Sequence, residues 1–331
     1  MDGVTSIEVY GYAPAPAAST YSVTLAEGTE DEGNWTISPT EAAEGATVIA
    51  TYSGEKRVKS VKAVKKAPAG PVGTDLATIT ADYEAKDGET LYGTLGSNVK
   101  ISIADGATVT LKDVNINGVN TGDYAWAGIT CAGDATITLE GTNTVKGFRA
   151  NYPGIYVPEG KTLTIEGEGS LNASNNGRST GIGGGAYMHC GDIVINGGNI
   201  TATGANYNAG IGGGVDFVDE GTVIRCGKIT ITGGTVTATG GEYAAGIGSG
   251  EHGSCGAITI SGGTVTATAV KWAAGIGGGN ENGASGDITI TSGVTKVTAT
   301  KGSDCLNSIG SGDGGAVITV IIEDFDKVIQ N

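Results

Sequence analysis

The chain has 331 residues, 60 of them Gly, with 7 Pro, 5 Cys and only 5% aromatic residues. Glycine at that density excludes a helical bundle, because it is among the poorest helix formers. With 19 basic against 35 acidic residues the formal charge is −16 and no long basic tract occurs, so nucleic acid is excluded as a partner: binding it requires neutralised phosphates.

Direct membrane insertion is not expected either. No stretch approaches the roughly 18 consecutive apolar residues of a membrane span, and Met1, Asp2 and Gly3 open no basic-then-apolar leader. The chain is therefore cytoplasmic, or belongs to an exported protein whose signal is absent from this sequence. Residues 1–72 read as a small all-β, sandwich-like module plus linker. Alternation over 21–25 and 46–52, and valines interleaved with Lys and Ser over 58–64, predict strands around a polar turn at 27–33 and the lone Trp35. Pro68, Gly70 and Pro71 mark a linker that places the boundary near residue 72 and leaves 73–331 as the second domain.

The second domain opens, near residue 76, with less regular units: alternating stretches at 107–111, 135–139 and 162–165, with Gly128-Ile129 and Gly154-Ile155 as reduced glycine corners. A clear repeat follows. Gly181-Ile182-Gly183-Gly184-Gly185 is echoed from Gly210, Gly246, Gly275 and, more weakly, Ser308, at intervals of 29, 36, 29 and 33 residues. Between the corners run Cys-Gly-x-Ile stretches from Cys190, Cys226 and Cys255, with Ser285 in the next place, and then Thr-Ala-Thr from Thr201, Thr237, Thr266 and Thr298. A near-constant period of about 30 residues means stacked coils, each burying its apolar face on its neighbours. Ile193 and Ile195, Ile229 and Ile231, Ile258 and Ile260, and Ile288 and Ile290 point inward, with Val194, Thr230, Thr259 and Thr289 outward. Short strands and glycine corners fit a parallel β-helix, and right-handed coiling follows by analogy with crossover connections. Residues 316–322 supply the last strand, with the acids of 323–326 covering or charging the open edge.

In that arrangement Cys190, Cys226 and Cys255 form a ladder of partly buried free thiols; Cys131 and Cys305 carry no assignment. Tyr207, Tyr243 and Trp272 each sit three residues before a corner glycine, and Arg178 holds the same place one coil earlier. Rings with a polar rim of Asn206, Asn208, Glu242 and Lys271 are the chemistry of a sugar-binding surface, in which ring faces stack on C–H faces and the rim bonds hydroxyls. The alternative is that the rings only cover the coil corners. Trp126 and Tyr152 fall one position out of that alignment.

Acids follow the corners: Asp216, Asp219, Glu220, Glu251, Glu281 and Asp313. They are read as solvated loop charge, with Ca²⁺ binding and glycosidic acid–base work as alternatives; no cofactor is otherwise expected. A lyase would need a base and positive charge together. Arg149, Arg178, Arg225 and Lys228 form no dense basic cleft in the sequence, and His189 and His252 have no recognisable partner, so no catalytic set is assigned. The glycine runs are not phosphate loops, since they lack the Lys-Ser or Lys-Thr ending.

The Gly-Ile-Gly-Gly-Gly corners, the Cys-Gly-x-Ile-Thr-Ile and Gly-Gly-Thr-Val-Thr-Ala-Thr stretches and the opening coil at 101–109 resemble repeat-containing surface proteins of gut-associated bacteria. Those proteins are carbohydrate-binding or adhesin-like and similar to the pectate-lyase-like right-handed β-helix group. The resemblance covers residues 76–322 and implies a right-handed, single-stranded parallel β-helix. Residues 21–66 resemble the small β modules, usually spacers or stalks, of such proteins. This implies an exported, cell-attached parent, with signal and anchor absent from this chain, whose partner is a polysaccharide or a host or neighbour cell-surface glycan. The Asp cluster and Arg of pectate lyases find no matching motif here. A lyase or glycoside hydrolase, and a structural stalk or protein-binding adhesin, are the other functional classes.

Overall fold

The structure is a computed structural model and describes residues 8–12, 20–25, 32–38, 41–43, 49–55, 62–64, 73–215, 224–316 and 318–331. The chain divides into two compact units, Met1–Val72 and Gly73–Asn331. In the first, Glu41–Ala43, Thr20–Leu25, Glu8–Tyr12 and Lys62–Val64 make one sheet in that order, antiparallel except for its last pair. Trp35–Ser38 pairs antiparallel with Ile49–Tyr52, and the buried Trp35 ring lies 4.8 Å from that of Tyr52. The alternation at 21–25 and at the ends of 46–52 and 58–64 falls on these strands. Residues 46–48 and 58–61, most of the 27–33 turn, and the linker lie outside the described residues. Glu8–Tyr12, Trp35–Ser38 and Glu41–Ala43 were not foreseen in the sequence.

The second unit is an all-β parallel β-helix. Each coil passes through three strands. Taking one coil, Ile247–Gly248 enters a nine-stranded parallel sheet of short strands, Ile258–Ile260 a first broad ladder and Thr264–Thr268 a second. Like residues stack on like. Ile193, Ile229, Ile258 and Ile288 are in register, as are Ile200, Val236, Val265 and Val297, and Ile182, Ile211, Ile247, Ile276 and Ile309. Nearly all of these side chains are wholly buried, while the threonines between them face outward. This is the period-2 pattern the isoleucines predict. The irregular early units join the same stacks: Ile129–Cys131 and Ile155–Tyr156 continue the nine-stranded sheet, and Ala107–Asn117, Ala135–Glu140 and Thr162–Gly167 the broad ladders.

Glycine is required where the corner closes. Gly183, Gly212, Gly248 and Gly277 have φ between +127° and +140°, and a Cβ on any of them would come within 1.9–2.1 Å of the next coil's carbonyl oxygen. No L side chain fits that approach. Several acids are spent on the stack itself. Asp105, Asp134, Asp192 and Asp287 each accept a backbone N–H from the following coil at 2.7–3.0 Å, which satisfies donors that the turns would leave open.

Two expectations are corrected. Of the predicted strand at 316–322, Val320–Ile322 is a strand, residues 316, 318 and 319 are not and 317 lies outside the described residues, and a further strand, Val328–Gln330, closes the second ladder. Between them Glu323 accepts the Ser292 N–H at 2.8 Å, and Phe325 is exposed. The cysteine ladder is not one of free thiols: Cys190 and Cys226 form a disulfide across adjacent coils, with Cα atoms 4.3 Å apart. In-register residues of neighbouring parallel strands already sit at about that separation, so a sequence separation of 36 residues is no obstacle. Cys255 pairs in register with Cys226 and stays a buried thiol, pushed up to about 12 by burial. Ser285 carries the ladder one coil further, and its hydroxyl is buried without a hydrogen-bond partner.

Candidate functional site

The turn that leads into each corner glycine carries the ring residues. Tyr207, Tyr243 and Trp272 occupy equivalent places on three successive coils, and their rings stack with centroids 4.9 Å apart at both steps and interplanar angles of 20° and 22°. The ring spacing is the rung spacing of a parallel sheet, so the coil geometry itself enforces face-to-face contact. All three side chains are half-buried. No sugar ring fits into a 4.9 Å gap, so the ring faces turned to one another are closed to a ligand, whereas the sequence pointed to ring faces.

A polar rim runs beside the rings. Lys271 Nζ lies 3.7 Å over the Trp272 ring and 3.7 Å from Glu242 Oε1, joining a cation–π contact to an ion pair one coil away. Burial pushes the Tyr243 phenol above its ordinary value, and the negative charges of Glu242, Glu251 and Glu281 push it further. Arg178 is exposed at the equivalent place in the preceding coil, its N–H donating to the Ala150 carbonyl at 2.7 Å. In the coil after Trp272 the same place is taken by Cys305, which is buried. Trp126 belongs elsewhere: with Tyr124 and Phe148 it forms a separate cluster, centroids 5.3–6.5 Å apart.

The loops after the corners bring acids to the same edge. The N–H groups of Glu251, Asn280 and Asp313 donate to the carbonyls of Tyr207, Tyr243 and Trp272 at 3.0, 2.9 and 3.0 Å. One repeated bond thus ties each ring residue to the loop one coil on. Glu251 and Glu281 converge there with His252. His252 Nε2 lies 3.0 Å from Glu281 Oε2, and one ligand atom from each of the three residues falls within 4.8 Å of the others. Glu251 is only 4% exposed and accepts the Asn280 side-chain amide at 2.9 Å; burial raises its carboxyl above the usual range, against the pull of that amide and of His252.

His252 therefore has a partner that the sequence reading missed. The signal was present: Gly248 pairs with Gly277, and counting on from those glycines sets Glu251 opposite Asn280 and His252 opposite Glu281. Asp216, Asp219 and Glu220 lie outside the described residues, and Asp313 is exposed. His189 Nδ1 accepts the Arg225 N–H at 3.0 Å. Arg149, Arg225 and Lys228 are exposed, and among the described residues none forms an ion pair with the loop acids. An open concavity of about 640 Å³ lies at the turns between the broad ladders, lined by Glu140, Thr142, Glu168 and Ser170; it contains no ring.

Among protein-family models, one described as Beta helix repeat matches residues 193–215, 229–251 and 258–280. No curated protein and no solved structure matches the chain. The three matched segments begin at the inward Ile193, Ile229 and Ile258 and run through the glycine corners to Val215, Glu251 and Asn280. Repeat and coil geometry agree on a right-handed β-helix repeat fold, and a fold alone carries no activity.

Proposed function

We propose that this chain is part of an exported, adhesin-like surface protein that binds a polysaccharide non-catalytically along the ring-bearing edge of its β-helix. The observation that carries this reading is the periodic edge: two tyrosine rings and one indole at 4.9 Å steps along the coil axis, flanked by the Lys271–Glu242 pair. That step is close to the advance per residue of an extended pyranose chain, so successive sugars would meet equivalent donors and acceptors. Ring edges with hydroxyl and charged neighbours suit a hydroxyl-rich ligand, because the tyrosine hydroxyls both donate and accept, Lys271 donates and Glu242 accepts. The rigid stack also holds the groups in place before binding, which reduces the entropy lost on association.

The test is a glycan-array screen of the full chain with and without calcium, each hit being rechecked for product. Selective retention of one polysaccharide class with no new chain ends is the expected result. An array without hits would overturn glycan binding and leave a stalk or protein-binding adhesin. New reducing ends or unsaturated sugars would overturn the non-catalytic part and return the lyase or hydrolase reading.

A further inference from the structure

We propose that Glu251, His252 and Glu281 form a divalent-cation site that takes Zn²⁺ in preference to Ca²⁺, with Asn280 holding its buried ligand in place. The ligands come from two adjacent coils, and their donor atoms already lie within 4.8 Å of one another. The separation of 3.0 Å between His252 Nε2 and Glu281 Oε2 is near the roughly 3.3 Å expected of two ligands on one tetrahedral zinc with bonds of about 2.0–2.1 Å.

An ordinary surface ion pair between His252 and Glu281 would account for that distance, but not for Glu251. Glu251 as a whole is only 4% exposed, and the Asn280 amide that bonds it is neutral. Buried carboxylates are stable when paired with cations or bound to metals, and costly otherwise. One imidazole with two carboxylates is a nitrogen–oxygen donor set that zinc accepts, while Ca²⁺ takes six to eight oxygens. Three protein ligands also leave zinc an open position for an exchangeable group. The backbone is held to the rungs at both coils: Glu251 N–H donates to the Tyr207 carbonyl at 3.0 Å and His252 N–H to the Asn280 carbonyl at 3.2 Å. The Asn280 amide on Glu251 Oε1 plays the orienting part that outer hydrogen bonds play around metals. The proposal needs no saccharide and stands independently of the glycan reading.

The experiment uses the untagged full chain, stripped with a chelator, titrated calorimetrically with ZnCl₂ and with CaCl₂, and with CoCl₂ followed by visible absorption. The expected result is saturable uptake of one Zn²⁺ per chain, weaker Ca²⁺ binding, and cobalt bands typical of a low-coordinate site. The His252 and Glu281 side chains are 36% and 61% exposed, so His252→Ala and Glu281→Gln should fold, as an unchanged melt of the stripped proteins would verify. Each should weaken Zn²⁺ binding by more than about tenfold, and Asn280→Ala by about tenfold or more, the scale of losing an outer-shell partner. Absence of saturable uptake, tighter binding of Ca²⁺ than Zn²⁺, or undiminished uptake by a variant combining His252→Ala with Glu281→Gln would overturn the proposal.

Discussion

Substituting Gly248 by Ala isolates the contact that sets coil spacing. Gly248 has φ +140°, and an added Cβ would sit 1.9 Å from the Gly277 carbonyl oxygen. Restoring ordinary contact at 3.4 Å means parting the two rungs by about 1.5 Å. The Ser249 N–H to Gly277 carbonyl bond, at 3.0 Å, would then pass well beyond hydrogen-bonding range. Two costs add: about 1–2 kcal/mol for a left-handed L residue and about 1–3 kcal/mol for buried groups left without partners. The sum is roughly 2–5 kcal/mol. Gly88→Ala is the matched control, with φ +77° and nothing within 4 Å of its Cβ, so only the first cost applies. Urea unfolding followed by far-ultraviolet circular dichroism, with the slope checked for unchanged cooperativity, should separate the variants by about 1–3 kcal/mol. Equal midpoint shifts would refute the claim that backbone contact between coils, beyond the dihedral alone, demands glycine at the corner.

Ile260→Ala removes a wholly buried side chain stacked between Ile231 and Ile290 and should cost about 2–5 kcal/mol. Thr259→Ala, on the outward side of the same strand, should change stability by less than about 0.5 kcal/mol, and equal melting temperatures for the pair would contradict the assigned faces. Ser285→Ala deletes a buried hydroxyl with no partner and should raise stability by roughly 1 kcal/mol; a lower melting temperature would show that the hydroxyl is satisfied in solution. Peptide mapping without reductant should recover Cys190 linked to Cys226, with Cys131 and Cys255, both pushed up to about 12 by burial, alkylated only after unfolding; a peptide linking Cys226 to Cys255 would contradict the pairing. Burial raises the Glu89 carboxyl, but hydrogen bonds from Thr74, Tyr83 and the Lys86 N–H outweigh it and leave the group below its ordinary 4.5. Its stabilising contribution is therefore complete above that value and is lost as pH falls through the folded one. The stability gap to Glu89→Gln should shrink on acidification, and a gap that widens would reverse the sign.

Much of the β-helix is visible in one dimension because its coils are nearly in sequence register. Alternating isoleucines mark inward faces, recurrent glycines mark corners, and Tyr207, Tyr243 and Trp272 share one offset from those corners, so their vertical alignment follows. Ring orientation does not, because three residues sharing an offset could lie side by side or face to face; the rung spacing decides for faces in contact. The disulfide and the Glu251, His252 and Glu281 cluster were missed for another reason. The repeat stacks Cys190, Cys226 and Cys255 but carries no sign of which neighbours are joined, and Glu281 meets Glu251 and His252 only when the variable loops are counted from the aligned glycines of two coils. The final strand, Val328–Gln330, lacks the repeat's threonine pattern and gave no periodic signal.

The most direct measurement of the proposed edge is the affinity of the best array polysaccharide for the wild-type chain, for Tyr207→Phe with Tyr243→Phe, and for the triple alanine variant of Tyr207, Tyr243 and Trp272. If hydroxyl-bearing ring edges carry the contact, the double phenylalanine variant keeps the stack and its melting temperature. It should lose about 1–3 kcal/mol of binding, two hydrogen bonds' worth, and the triple variant should lose more. Unchanged binding by the triple variant would contradict the site.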